Sequence, residues 1–221
     1  MKEDRDPERL WLDDGQCYVI MEDGRYIVVH DKENLAIYRG PEILLQTAIL
    51  KYGDKTDEGM LVKAASVPWF EILKQIAVDP NFMFEFSRYP RKFEEFLAGA
   101  YREAGWDEVT LTPSSGDRGR DVIATRSGLC SIKILDQAKA YSSGHLVAHN
   151  DVRAMLGVLS SDQNASKGII TTTSDFAPGI LAADEFSNFM PYRLELKNGK
   201  KLLKWLKDIR AGNQKTQVSD R

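Results

Sequence analysis

The sequence lacks the features that would place it in a membrane or secreted class. No apolar run approaches the roughly 20 residues that a membrane-spanning helix needs. The first residues, MKEDRDPERLW, are too charged for a secretory signal. The two cysteines, Cys17 and Cys130, lie far apart and form no CxxC pair, which argues against a disulfide framework or a cysteine zinc site. We therefore expect a cytoplasmic protein with no membrane association.

A strong overall charge is also lacking, since the net charge is only −3. The charges are nevertheless unevenly distributed along the chain. Residues 1–85 carry 10 Lys+Arg against 17 Asp+Glu, whereas residues 86–221 carry 20 against 16. The second part is therefore basic by itself, and the acidic total does not exclude a polyanionic partner such as DNA.

The first 80 residues predict three short strands followed by two helices. In order, the segments are CYVI and GRYIVVH around an Asp23-Gly24 turn, NLAIYRG, PEILLQTAILKY and VPWFEILKQIAVDP. Gly accepts the positive φ of a tight hairpin, and Pro41 suits the first turn of a helix. We expect a small α+β domain over residues 1–80, with GDKTDEG as a polar loop. It contains no catalytic constellation, and its negative balance favours a protein-contact or regulatory role.

The rest of the chain has a more regular pattern, which predicts the order α-β-β-β-α-β-α-β-α. The segments are PRKFEEFLAGAYREAGW, DEVTLT, DVIATR, LCSIKILDQAK, NDVRAMLGVLS, KGIITTT, SDFAPGILAADEF, YRLEL and NGKKLLKWLKDIR. We expect a second domain over residues 81–210, followed by a polar, disordered tail over 211–221.

Four polar residues of this second domain are expected to converge at one edge of the sheet. Gln137 and Lys139 share one side of their strand because side chains alternate. Asp121 begins the hairpin partner of that strand and so lies near its end. Glu94 is on the flank of the apolar helix stripe and can reach the same point, whereas Glu95 points nearly opposite.

Two carboxylates and an amide oxygen make a hard-oxygen site suited to Mg²⁺, and a neighbouring lysine can help to activate water or offset phosphate charge. The competing interpretation is an ordinary surface hairpin, in which Asp121 caps turn N–H groups and Lys139 is an edge charge. His145 and His149 have a zinc-like spacing but no third ligand, so a polar loop is the simpler interpretation.

Five motifs in this order resemble the Mrr-type restriction endonuclease family of the PD-(D/E)xK nuclease fold. They are RKFEEFLAGAYREAGW, VTLTPSSGDRGRDVIAT, DQAKAY, VRAMLGVL and KGIITTTSDFAPG. The resemblance covers about Phe70 to Ile209. It implies an α/β, restriction-endonuclease-like fold with a mixed central sheet flanked by helices, beside the small α+β N-terminal domain.

The resemblance also implies the roles of the four residues. Glu94, Asp121 and Gln137 would be metal ligands, and Lys139 would complete the catalytic set, with Mg²⁺ as cofactor and Mn²⁺ as an alternative. Many relatives have glutamate where this chain has Gln137, but glutamine is frequent in the Mrr subgroup. Because an amide contributes no net charge, Glu94 gains importance here.

The implied function is an endodeoxyribonuclease of restriction or phage-defence type. Two alternatives stay open from the sequence: a DNA-binding module whose nuclease site has decayed, and a nuclease that acts on RNA or branched DNA. Cutting both strands of a duplex generally needs two active sites, which favours a homodimer.

Overall fold

The computed structural model describes residues 10–11, 17–20, 25–29, 35–39, 41–114 and 119–219. It divides into two units, Met1–Ala48 and Ile49–Arg221. In the described part, no helix combines the length and the apolar character that crossing a membrane requires.

The first unit contains a four-stranded antiparallel sheet in the order β1-β2-β3-β4. The strands are β1 (Leu10–Trp11), β2 (Cys17–Ile20), β3 (Arg25–Val29) and β4 (Leu35–Arg39). The three predicted strands are confirmed, and β1 is an addition. The Asp23-Gly24 turn lies outside the described residues.

The helix predicted to begin at Pro41 is much shorter than expected. A 3₁₀ helix covers Pro41–Gln46, and the Thr47 hydroxyl donates to the carbonyl of Leu44 at 2.8 Å as the helix ends. The chain then enters strand β5 (Leu50–Lys55), so the predicted helical continuation to Tyr52 is wrong. The pairing of this segment in a sheet has overridden its local helical pattern. A short apolar run is compatible with the periodicity of a helix and with that of a strand.

Strand β5 forms an antiparallel hairpin with β6 (Met60–Ala65), so Gly53, Asp54 and Lys55 of the predicted polar loop GDKTDEG belong to a strand, and the other four residues form the turn. The turn closes through reciprocal Thr56 and Gly59 backbone hydrogen bonds. Gly59 has φ 152°, and a Cβ there would lie 2.2 Å from the carbonyl oxygen of Leu111. Only glycine permits this approach.

This hairpin changes the domain boundary predicted at residue 80. Strand β6 pairs with β7 (Glu108–Leu111) in the register Met60↔Leu111, and helix α1 (Val67–Val78) follows directly. The hydrogen bonds between β6 and β7 place residues 49–80 in the larger unit. The boundary is therefore at Ala48/Ile49.

The larger unit is built on a seven-stranded mixed sheet in the order β13-β11-β9-β8-β7-β6-β5, which confirms the predicted fold class. β11 runs parallel to β9 and β13, and the other neighbours are antiparallel. The remaining strands are β8 (Val122–Arg126), β9 (Ile132–Lys139), β10 (Leu146–Val147), β11 (Lys167–Thr172), β12 (Asp175–Phe176) and β13 (Leu194–Lys197). The helices are α2 (Pro90–Glu103), α3 (His149–Ser161), α4 (Asp184–Ser187) and α5 (Gly199–Ser219), with 3₁₀ helices at Pro80–Arg88 and Ile180–Ala182.

Helix α2 packs on the sheet with the predicted apolar stripe. Phe93, Phe96 and Leu97 are fully buried, and the Trp69 indole donates to the carbonyl of Phe96 at 2.9 Å. A Cβ at Gly99 would lie 2.4 Å from the Trp69 indole nitrogen, so this glycine admits the indole. The Trp69 contacts join α2 to α1, and α2 also packs against β6, β7, β8 and β9.

Two predictions near the end of the chain are wrong, one of a helix and one of a disordered tail. SDFAPGILAADEF does not form one capped helix, because Pro178 and the left-handed Gly179 (φ 86°) separate the short strand β12 from the later turns. The polar tail predicted to be disordered from residue 211 continues α5 to Ser219. This segment contains no proline to stop the helix.

Candidate active site

Asp121 immediately precedes β8, and hydrogen bonds on both sides hold its main chain. Its N–H donates to the carbonyl of Asp136 at 2.9 Å, and its carbonyl accepts from the N–H of Thr112 at 3.0 Å. The Thr112 hydroxyl also donates to the carbonyl of Arg120 at 2.8 Å. The ends of β7, β8 and β9 therefore define the position of Asp121.

The Asp121 side chain lies against the end of β9. It is 8% exposed, and its Oδ2 accepts a hydrogen bond from the N–H of Ala138 at 2.7 Å. Ala138 is the residue between Gln137 and Lys139. The structure thus brings three of the four predicted residues to one sheet edge, while their catalytic roles stay predictions.

The Gln137 side chain has an unused oxygen in this region. Its Oε1 is buried and has no hydrogen-bond partner among the residues that the structure describes. Gly119, in the turn before β8, has φ 76°, and a Cβ there would lie 3.1 Å from Val158 Cγ2 and 3.9 Å from Gln137 Nε2. Helix α3 and the glycine turn therefore enclose the amide.

Lys139 is held by helix α3. Its Nζ lies 2.9 Å from Asp151 Oδ1, and Asp151 Oδ2 accepts from the N–H of Ala148 at 3.0 Å. The carbonyl of Lys139 accepts from the Thr172 hydroxyl at 2.8 Å. The ammonium group is consequently fixed between the end of β9 and the first turn of α3.

Glu94 lies in the second turn of α2, where it forms an ion pair with Arg91 and is 18% exposed. Glu95 pairs with Lys92 and is 13% exposed. Burial and then the Glu95 carboxylate raise the pKa of Tyr52 on β5. Glu95 is therefore as sheltered as Glu94, against the expectation that it points away. The participation of Glu94 in the site stays a prediction.

The geometry can now be compared with known proteins. A family model of the restriction endonuclease catalytic domain of Mrr type matches residues 87–206, which are more than half of the chain. The chain belongs to this family. The match begins before α2, includes all four predicted site residues and ends within α5.

Several solved restriction endonucleases are similar to this family member over part of their length. MspJI in complex with a 27-mer oligonucleotide is 22% identical, with 64% of this chain and 32% of that chain covered and a TM-score of 0.36. The DNA modification-dependent enzyme AspBHI is 16% identical, with 82% and 47% covered and a TM-score of 0.45. FokI is 13% identical, with 67% and 32% covered and a TM-score of 0.45. The chain spans less than half the length of each, and no curated protein matches it.

The donor set of this restriction endonuclease chain fits a hard divalent cation. The Asp121 carboxylate, just before β8, and the Gln137 Oε1 on β9, which has no partner among the described residues, offer oxygen ligands of the kind that suits Mg²⁺ or Mn²⁺. Across residues 41–114 and 119–212, no three His, Cys, Asp or Glu side chains are arranged to hold a metal. His145 instead stacks on Tyr141 at 4.1 Å.

Four charged side chains clamp the turn that carries Asp121. Arg120 approaches Glu58 at 3.5 Å and Asp162 at 3.7 Å. Lys133 lies 3.1 Å from both of these carboxylates. Because Glu58 belongs to the β5–β6 turn and Asp162 follows α3, the network connects both elements to the turn that carries Asp121.

We expect Asp162→Asn to destabilise the protein by up to about 1 kcal/mol at pH 7. Partial burial opposes ionisation, but the hydrogen bond from Lys133 prevails and lowers the pKa of Asp162. The pKa of an aspartate in the unfolded chain is about 4. Because the pKa of Asp162 is lower in the folded protein, its carboxylate stabilises the fold above that pH. This stabilisation is lost as the pH falls through the pKa of the folded state. Urea unfolding at pH 7 and pH 3 measures the difference between the two proteins. A gap that stays constant between these pH values would contradict the expectation.

A second charged group lies behind β9, on the face opposite Gln137 and Lys139. Asp136 is fully buried, and its Oδ2 accepts from Tyr101 at 2.7 Å and from Thr171 at 2.8 Å. Burial raises the pKa of the Asp136 carboxyl to about 6, although Lys197 and the two hydrogen bonds oppose the shift. This group joins α2 to β9 and β11.

Asp151 is the contact of Lys139 that the sequence interpretation missed. The helix begins at His149 with Ala148 as its N-cap, and Asp151 supplies the capping carboxylate. An acid at the third helical position is a recognised start signal. Asp117 and Arg118, in the same turn as Gly119, lie outside the described residues.

Proposed function

We propose that this chain is a Mg²⁺-dependent endonuclease that hydrolyses phosphodiester bonds in DNA. The observation that carries the proposal is the buried Oε1 of Gln137, which has no hydrogen-bond partner among the described residues, next in sequence to Ala138, whose N–H donates to the Asp121 carboxylate. A buried polar atom without a partner is costly unless a ligand satisfies it. Membership of the restriction endonuclease family supports the nuclease class.

Each residue of the site has a proposed role. Asp121 and Gln137 hold the cation, and Glu94 adds the negative charge that the amide does not provide. When bound, the ion supplies Lewis-acid stabilisation of charge on the scissile phosphate. Lys139, positioned by Asp151, orients the attacking water and offsets charge that develops on the phosphate oxygens.

The cellular role follows from the family as a further part of this proposal. Cleavage of incoming DNA in the cytoplasm, as in restriction or phage defence, fits a restriction-type catalytic domain. Double-strand cleavage favours a homodimer with two active sites. The Met1–Ala48 unit is proposed to serve in protein contact or regulation rather than in chemistry.

The decisive experiment is a cleavage panel with the full chain. Supercoiled plasmid, linear duplex, a four-way junction and RNA are incubated with Mg²⁺, with Mn²⁺ and with EDTA. We expect nicking or linearisation of plasmid with either metal and none with EDTA. Preference for RNA or the junction would assign the substrate to those classes, and cleavage in EDTA would contradict the metal-dependent mechanism.

The Gln137→Glu variant separates an active site from a decayed one. A carboxylate at this position adds a charged oxygen ligand, so we expect tighter metal binding and a lower Mg²⁺ requirement for cleavage. Mg²⁺ titrations of the cleavage rate compare the parent and the variant. A DNA-binding module with a decayed site would instead bind duplex in a salt-dependent manner, and neither protein would cut with any divalent ion.

A further inference from the structure

An open cavity of about 320 Å³ lies on the sheet face opposite Gln137 and Lys139. Ile134 lines it, and this residue shares the face of Asp136 on β9, whereas Gln137 and Lys139 take the other face. The cavity is separate from the proposed nuclease site. Its apolar lining consists of Ile134, Ile169, Tyr101, Trp106 and Trp205.

A buried lysine faces this cavity. Lys197 is 7% exposed, and its Nζ lies 3.9 Å from the ring centroid of Trp205 and 5.6 Å from that of Tyr101. Among the side chains described for residues 42–114 and 119–212, it has no hydrogen-bond or ion-pair partner. An ammonium group has three donors, and this one is accessible from the cavity, where a ligand can accept hydrogen bonds from it.

The other charged residues of the cavity leave an excess of positive charge. Glu195 is paired with Lys167 at 3.2 Å, and Lys201 donates to the carbonyl of Leu196 at 2.9 Å. Lys204 and Asp208 complete the charged lining. The cavity therefore combines indole rings with the Lys197 ammonium, which makes no hydrogen bond to the described side chains although the Asp136 carboxylate lies near it. This combination suits a ligand that has one anionic group and one planar ring.

We propose that this cavity binds a nucleoside monophosphate group, with its base against Trp106 and Trp205 and its phosphate toward Lys197 and Lys204. The volume suits a single small ligand of this kind, and Asp208 at the rim disfavours a continuing polyanionic backbone. The group comes either from a free mononucleotide or from the phosphorylated end of a DNA strand. The cavity chemistry by itself indicates a ligand with an anionic group and a planar ring. That this ligand is a nucleotide rests on the proposed nuclease function.

Calorimetric titration of the full chain tests the proposal in EDTA, where no metal can hold phosphate at the nuclease site. The probes are the four deoxynucleoside 5′-monophosphates, a nucleoside without phosphate, and inorganic phosphate. We expect a mononucleotide to bind at least about 10-fold more tightly than either fragment, because ring and phosphate contribute together. No binding by any mononucleotide, or equal binding by phosphate alone, overturns the assignment.

Two variants locate the binding. Lys197→Met combined with Asp136→Asn removes the buried cation and its counter-charge together, and Lys204→Glu reverses an exposed charge without touching the core. We expect each to weaken mononucleotide binding by about 10-fold or more. Circular dichroism verifies folding, and Lys204→Glu decides the outcome if the double variant is unfolded. Unchanged affinity in a folded variant overturns the proposed location.

The source of the nucleotide is distinguished by single-stranded 8-mers with and without a 5′-phosphate. Binding only of the phosphorylated 8-mer supports a strand end, and binding only of mononucleotides supports a free ligand. Asp121→Asn protein is used throughout, so that cleavage cannot consume the probes. If mononucleotides bind but the parent does not cleave plasmid, the cavity site stands and the nuclease function is rejected. If the parent cleaves plasmid but no mononucleotide binds, the nuclease function stands and the cavity site is rejected.

Discussion

We expect Lys139→Ala to lower the rate of plasmid cleavage by at least about 100-fold. Removing one preorganised charged donor from an active site typically costs this much or more. The Lys139 ammonium is fixed by Asp151 at 2.9 Å at the strand end where the Asp121 carboxylate also lies. Its loss should affect the chemical step more than DNA binding, so the rate at saturating plasmid should fall while duplex affinity changes little.

Lys167→Ala provides the matched control for this experiment. Lys167 is also a strand lysine in an ion pair, with Glu195 at 3.2 Å, but it lies at the start of β11 rather than at the end of β9. Single-turnover cleavage and duplex-binding assays are compared for the parent and both variants. If Lys139→Ala cuts as fast as the parent or as Lys167→Ala, the catalytic assignment of Lys139 is wrong.

The second large effect concerns stability. We expect Lys197→Met to destabilise the protein by about 3 kcal/mol at pH 8, because it leaves the Asp136 carboxylate buried without its nearby cation. Burial already disfavours both charges, since it raises the pKa of Asp136 to about 6 and lowers that of Lys197. Methionine keeps a similar apolar volume, so the loss reports the charge rather than a cavity.

The Asp136→Asn change should restore most of this stability when it is combined with Lys197→Met. The asparagine carbonyl can still accept from Tyr101 and Thr171, and no buried charge then lacks a counter-ion. Urea unfolding in EDTA gives the free energy of unfolding for both single variants and the double variant. Lys204→Met is the control, because Lys204 is exposed, and it should change stability by less than about 0.5 kcal/mol. Additive losses in the double variant would argue against coupling of the two charges.

The catalytic half of the chain was more predictable than the first 80 residues, for physical reasons. The apolar stripe of α2 is long and strictly periodic, and the Gln137-x-Lys139 spacing on a strand places both side chains on one face. These local patterns are nearly sufficient to place Asp121 beside them once the hairpin forms. The predicted boundary at residue 80 failed because the pairing of Met60 with Leu111 depends on residues far apart in sequence.

The contacts that sequence could not supply are those between distant side chains. Asp151 meets Lys139 because the first turn of α3, which begins at His149, lies beside the end of β9. The burial of Glu95 depends on β5, a strand that was interpreted as helix and loop. The closeness of Gly119 to Val158 of α3 and to the Gln137 amide likewise joins residues far apart in sequence, which no local pattern encodes.

The β5–β6 hairpin has a practical consequence for anyone who dissects this protein. A fragment cut to the family match would leave out the hairpin and Glu58, and would present β7 to solvent as an unpaired border that invites aggregation. The smallest piece that preserves every strand of the large sheet starts at Ile49. Minimal-domain trimming guided by homology alone would therefore remove part of the framework that steadies the Asp121 turn.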